Sequence, residues 1–245
     1  MPLSTSLVRQ PTVMKKEAQI SRVHGRERAD TATPARILEH AIDLFAERGF
    51  SDVTVRDIAE HAEANPAAIS YYFGAKDQLI RQAIEAVVAP LNDKRLAALD
   101  SVENAESFCV ADVVRAMVVP TVEACMRSTG PERHYARVLV LSFALRQPFV
   151  DEVMAEQTDR VALRFVGALA KAAPGKERAT LFWHFDFMIG AIMHILLDGS
   201  RGYRLRRLSN GAADTGRVES VISELVDFIT AGMGASGKVR PSRSR

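Results

Sequence analysis

Apolar residues return along this chain at spacings of three and four, and no run alternates with the period of two that a strand requires. Ile37, Leu38, Ala41, Leu44 and Phe45 form the first such stripe. Thr33-Pro34 opens it as an N-cap followed by a first-turn proline, and Gly49 closes it. "TVRDIAEHA" predicts a second, short helix, with Thr54 as cap, Asp57 in the capping-box position, and Val55, Ile58 and Ala59 facing inward. Asn65-Pro66 repeats the start signal for a third helix ending by Gly74. A long fourth helix from about Lys76 carries Leu79, Ile80, Ala83, Ile84, Val87 and Val88 on its apolar side, with Pro90 expected to kink or divide it.

Beyond residue 100 every segment reads as helix. "ADVVRAMVVPTVEACM" is expected to break at Pro120, and another helix starts at Pro131. Val150, Met154, Val161, Phe165 and Leu169 mark the buried stripe of a longer one. Then come a very apolar helix over 176–199, a Gly/Arg-rich loop over 200–216 and a last amphipathic helix over about 217–233. The fold class is therefore all-α. Residues 1–32 read as a disordered basic arm, 33–78 and 79–234 as two helical domains, and 235–245 as a disordered basic tail.

Composition narrows the partners. At 245 residues, 47% hydrophobic and 25% charged, the chain has the make-up of a soluble globular protein with a sizeable core. A formal charge of +2 gives no global field for nucleic acid, so any such contact must be local. Cys109 and Cys125 lack metal-ligand spacing and read as buried small hydrophobes in a reducing compartment, which makes the expected location cytoplasmic. No signal-peptide core stands out, and His184, Asp186 and His194 interrupt the apolar stretch over 179–199, so no membrane partner is expected. The two histidines are ten residues apart with no companion ligands, which argues against a metal; no cofactor is implied either. There is no GxSxG elbow, P-loop, HExxH or dinucleotide fingerprint, so no catalytic residue is assigned and the chain is not expected to be an enzyme.

The chemistry that stands out lies in "NPAAISYYFGAKDQL", residues 65–79. Three helices of about 15, 8 and 7 residues joined by tight connections have the dimensions of a helix-turn-helix domain. In that geometry the third helix enters the major groove, with Pro66, Ala67 and Ala68 near the bases and small enough to let the backbone approach. Tyr71 and Tyr72 can donate hydroxyl hydrogen bonds to phosphates, while Arg56 and Lys76 add charge contacts. Ile69 and Phe73 would pack inward. Residues 33–76 nonetheless hold Arg36, Arg48, Arg56 and Lys76 against seven acids, a net of −3, so the positive surface must be focused. The arm over 1–32 is +3, and its Arg26 and Arg28 could reach the minor groove or flanking phosphates; Met14 offers an alternative start.

Residues 33–79 resemble the DNA-binding domain of the TetR family of bacterial transcriptional regulators, carried by "LFAERGF", "TVRDIAEHA" and "YYFGAKDQL". Ala75 departs from the family's frequent Ser or Asn cap on the fourth helix. More weakly, "LFWHFDFMIGA" and "LVDFITAGMGA" are similar to the C-terminal domain of PsrA-type members, which respond to long-chain fatty acids. The resemblance implies an N-terminal helix-turn-helix domain, a larger helical ligand-binding and dimerisation domain, and a homodimer. It also implies a double-stranded DNA operator, palindromic and released when a small hydrophobic effector binds, with repression as the default. A fatty acid or acyl-CoA is the effector class so suggested. His134, Arg137, Phe143, Arg146, Phe187 and Met188 combine polar handles with apolar walls and are the candidate effector-binding residues. The rival reading is a helical carrier of hydrophobic molecules without operator-specific DNA binding.

Overall fold

The computed structural model describes residues 33–145, 147–200 and 203–234. The basic arm, the basic tail and Arg146 therefore lie outside the described residues, and all described elements are helical. They are α1 (Pro34–Arg48), α2 (Val55–His61), α3 (Pro66–Phe73), α4 (Lys76–Glu103) and α5 (Val110–Arg127), then a 3-10 turn (Pro131–His134). α6 (Tyr135–Leu145), α7 (Pro148–Ala172), α8 (Arg178–Ser200), α9 (Arg204–Leu208) and α10 (Val218–Gly234) complete the chain.

Local chemistry sets the first three helices. Thr33 Oγ1 accepts from the Arg36 amide (3.3 Å), satisfying one of the donors a helix start leaves unpaired. At α2, Thr54 Oγ1 accepts from the Asp57 amide (3.2 Å) while the Asp57 carboxylate accepts from the Thr54 amide (2.7 Å), a reciprocal capping box. The Thr54 hydroxyl and then its amide hold the Asp57 carboxyl below the usual carboxylate range. Asn65 Oδ1 accepts from the Ala67 amide (2.9 Å) at the start of α3, and Pro66 occupies the first helical position. α3 ends at Gly74, whose φ of 71° and ψ of −129° suit glycine alone. α4 starts from Ala75 without a side-chain cap.

α4 is the spine. Its first turns, through Leu79, Ile80, Ala83 and Ile84, close the core of α1–α3 built from Ile37, Leu44, Phe45, Phe50, Ile58 and Ile69. Farther along, Val87, Val88, Leu91 and Leu99 pack with α5 and α7, so one continuous core joins head and body. α10 lies along α5 and α8, burying Val221, Leu225, Val226 and Ile229. The predicted stripe of α7 is buried at all five positions, Val150, Met154, Val161, Phe165 and Leu169.

Four expectations are corrected. Neither Pro90 nor Pro120 breaks its helix: α4 and α5 run through them. Pro90 is exposed, so the carbonyl one turn back, which loses its backbone partner, faces the solvent side where water can satisfy it. Beside Pro120, the Thr121 hydroxyl donates to the Met117 carbonyl (2.5 Å), holding that turn together. The 200–216 segment is not all loop but contains α9, a single helical turn. The cysteines differ: Cys109 is exposed just before α5, whereas burial pushes the Cys125 thiol up to about 11 and leaves it an inert, small apolar group.

Candidate nucleic-acid interface

α3 divides cleanly by face. Ile69 and Phe73, four apart and therefore on one side, are 1% and 6% exposed and anchor the helix to the core. The opposite side presents Pro66, Ala67, Ser70, Tyr71 and Tyr72 to solvent, with Ala68 half-buried between the two. Tyr71 is 83% exposed and Tyr72 43%, and their rings stand edge to face at 5.2 Å. An apolar ring left this far in water at the end of a well-capped helix has no intrachain packing role. Both hydroxyls are free of the core and can donate outward.

Arg56, at the start of α2, is exposed. Lys76 is half-buried, and its Nζ donates to the Ser51 carbonyl (3.3 Å), which fixes the ammonium beside the α1–α2 connection while leaving it two further donors. The negative balance of the head is partly absorbed inside the structure. Asp57 serves the α2 cap, Glu63 lies 3.8 Å from Arg36, and Asp43 accepts from Arg133 and His134 of the 3-10 turn, each at 2.8 Å. Three of the seven acids are thus committed to partners, and the net charge that α3 presents is not the sum read from the sequence.

The contact of Asp43 with Arg133 and His134 also links head to body. Burial pushes the His134 pKa down first, the Arg133 charge adds to this, and Asp43 opposes both; the ring is held below its ordinary 6.5. Another tie from body to head is Gln147 with Ser51, while Arg81 of α4 pairs with Glu156 of α7.

The five candidate effector residues among the described residues do not all line one groove. His134 is turned to Asp43 of the head, Arg137 is exposed, and Phe143 is 61% exposed. Phe187 and Met188 do share a shallow groove with His184, Phe228, Ile229 and Met233, on the face formed by α8 and α10. A larger groove of about 740 Å³ runs between α8, α9 and α10, lined in part by Ile195, Leu205, Leu225 and Phe228, and contains none of the five described candidates. Sequence reasoning missed the one feature of the body with the sharpest chemistry: Arg95 of α4, a guanidinium 2% exposed. Its signal was an arginine next to Lys94 within the apolar spacing of α4, easily read as a second solvated charge.

α8 is as unusual outside as Arg95 is inside. Arg178–Asp198 is long and apolar enough to cross a bilayer by length and composition, yet only 28% of it is buried. Trp183 and Phe187 are each 63% exposed, Phe228 of α10 72%, and Leu163 of α7 53%. These side chains form an apolar face broken by Asp186 and His194. No group of three or more His, Cys, Asp or Glu able to hold a metal occurs among the described residues.

Residues 37–83 match the family described as bacterial regulatory proteins, tetR family, and residues 115–232 match the tetracyclin repressor-like C-terminal domain. The HTH-type transcriptional regulator YttP of Bacillus subtilis is 43% identical over 53 residues, which are 22% of this chain and 26% of that one. The match thus spans about a quarter of that relative's length. Among solved structures, a TetR-family regulator from Bordetella parapertussis superposes with a TM-score of 0.58 at 18% identity, over 80% of this chain and 94% of that one. A transcriptional regulator from Saccharomonospora viridis in complex with choline gives 0.54 at 21% identity, over 80% and 94%. At these identities the superpositions speak for the fold alone. One family description thus covers the head that carries the tyrosine pair and another the helices stacked behind it: the chain belongs to the TetR family of bacterial transcriptional regulators.

Proposed function

We propose that two copies of this chain bind a palindromic DNA operator and leave it when a small hydrophobic effector binds behind the heads. The observation that carries this reading is the outer face of α3. Pro66, Ala67 and Ala68 stand at the N-terminal end of that face, the end that would enter a major groove, and Tyr71 and Tyr72 are exposed at its far end, where their hydroxyls would donate to phosphates. Arg56 and Lys76 flank that face as charge contacts.

The dimer reading rests on the apolar face of α8 and α10. Trp183, Phe187 and Phe228 are too large and too close together to be left in water, and Asp186 and His194 within the same helix argue for a protein partner over lipid. A second copy of the same face satisfies the two-fold symmetry a palindrome demands. Repression, a cytoplasmic location and a fatty acid or acyl-CoA as effector complete the proposal.

A gel shift with DNA from upstream of the protein's own gene, at two salt concentrations, tests it. Retardation that weakens as salt rises, and that disappears with oleate or oleoyl-CoA, is expected. No specific retardation at either salt would favour the carrier reading.

A further inference from the structure

Arg95 is a cation enclosed by neutral groups. Its Nε donates to Thr121 Oγ1 of α5 (2.9 Å), and its Nη1 donates to Asn92 Oδ1 (3.2 Å) and to the Tyr135 hydroxyl of α6 (3.1 Å). The guanidinium carbon lies 4.5 Å from the centre of the Tyr135 ring. Nη2 is fully buried and has no hydrogen-bond partner among the described residues. The acid of the adjoining turn, Glu132, is committed elsewhere, to Lys94 (2.9 Å) and Ser128 (2.8 Å), and Cys125 nearby is neutral.

A tally of hydrogens shows what the site lacks. Guanidinium carries five N–H groups; three have acceptors and the two on Nη2 do not. Tyr135 accepts from Arg95, so its own O–H proton is turned elsewhere. Thr121 already gives its hydroxyl proton to Met117, and the Asn92 amide gives one to the Gln157 carbonyl of α7 (2.7 Å). Four elements therefore converge on a corner rich in donors, poor in acceptors and positively charged. Burying an arginine this way is costly without a compensating anion. A core that needed only bulk here would be better served by methionine or leucine.

We infer that Arg95 is the seat for a carboxylate, the anionic head of the effector, which accepts from an Nη2 hydrogen and from the Tyr135 hydroxyl as a second donor. This rests on the effector-controlled regulator proposed above and names the chemical class of its effector as an apolar carboxylate. The surroundings supply the matching tail environment: Leu91, Leu99, Met117, Val118 and Val122 are all buried on α4 and α5. Because Arg95 is closed off in this structure, admitting the ligand requires α4 and α5 to part. α4 is the helix whose first residue, Lys76, stands beside α3, about 28 Å away along the helix axis. Seating an anion at Arg95 thus acts on the element that carries the heads.

The test uses the full chain, with octanoate, palmitate and oleate as probes and the matching alcohols as controls. Binding is followed by the fluorescence of Trp183, by calorimetry and by the shift in Tm. Arg95→Met roughly preserves volume and removes the charge, and Arg95→Lys keeps the charge but loses the planar guanidinium and its Nη2 donors. At least one carboxylate is expected to bind the wild type, to bind Arg95→Met about 10- to 100-fold more weakly, and to lie between for Arg95→Lys. The alcohols should bind the wild type and Arg95→Met alike.

Equal carboxylate affinity in wild type and Arg95→Met would overturn the seat, as would failure of every carboxylate to bind the wild type. The DNA readout separates the two proposals. DNA bound by both proteins and released from both equally by oleate leaves the regulator standing and removes the seat. Carboxylate binding that depends on Arg95, in a protein that holds no DNA, keeps the seat and removes the regulator.

Discussion

The head and the body of this molecule obey opposite rules of burial. In α1–α3 the apolar side chains are inside and each helix start is capped by its own sequence, through Thr33, Thr54 and Asn65. What remains outside is small or hydrogen-bonding, apart from two tyrosines that carry hydroxyls. In the body a charge is buried at Arg95, and large aromatics, Trp183, Phe187 and Phe228, lie in water. A domain that folds as a unit for a fixed surface can follow ordinary rules. On the proposed function, the body accepts a ligand and a second copy, and it departs from those rules at the places where these partners would sit.

The largest test of this contrast is to make the body's surface ordinary. Phe187→Glu with Phe228→Glu should leave the fold intact by circular dichroism, since both side chains are mostly exposed, but convert a dimer to a monomer in sedimentation. Specific DNA affinity should then fall by two orders of magnitude or more, roughly the cost of losing one of two half-site contacts. A variant that stays dimeric would show that this face is not the interface.

Local rules should be measurable in the head. Asn65→Ala removes the α3 cap and should lower stability by about 1 kcal/mol in chemical denaturation. Gly74→Ala has space for its methyl group but no comfortable backbone conformation, and should cost a similar amount, about 1 kcal/mol. Ala75→Ser supplies the missing cap of α4 and should return about 0.5–1 kcal/mol. No change in any of the three would mean that packing against α4, not local chemistry, defines the head.

The smallest effect lies at the joint between the regions. His134 in the folded chain resists protonation, because burial and Arg133 outweigh Asp43. The unfolded chain therefore takes up that proton first as pH falls below 6.5, and the stability associated with neutral His134, full above that value, is lost from there downward. His134→Gln should flatten the acid side of the stability curve between neutrality and about pH 5. An unchanged slope would place the titration elsewhere.

The same contrast explains what could be read in the sequence. The head was legible because its signals are local: a cap, a stripe and a glycine stop lie within a few residues of one another. Pro90 and Pro120 were misleading because the partner that excuses a proline is water or a neighbouring hydroxyl, which spacing does not show. The contact that His134 makes was not legible, because Asp43, ninety-one positions away, comes beside it only in the folded chain. Arg95 was overlooked for the same reason: its neighbours Thr121 and Tyr135 come from other helices.

The central claim, that the outer face of α3 meets DNA, is tested most directly by fluorescence anisotropy of labelled upstream DNA with wild type and with Tyr71→Ala, Tyr72→Ala. Specific, salt-sensitive binding by the wild type is expected, with at least a hundred-fold loss, on the order of 3 kcal/mol, in the double variant with unchanged melting and unchanged carboxylate binding. Equal binding by the two proteins would contradict it and place the DNA on another surface.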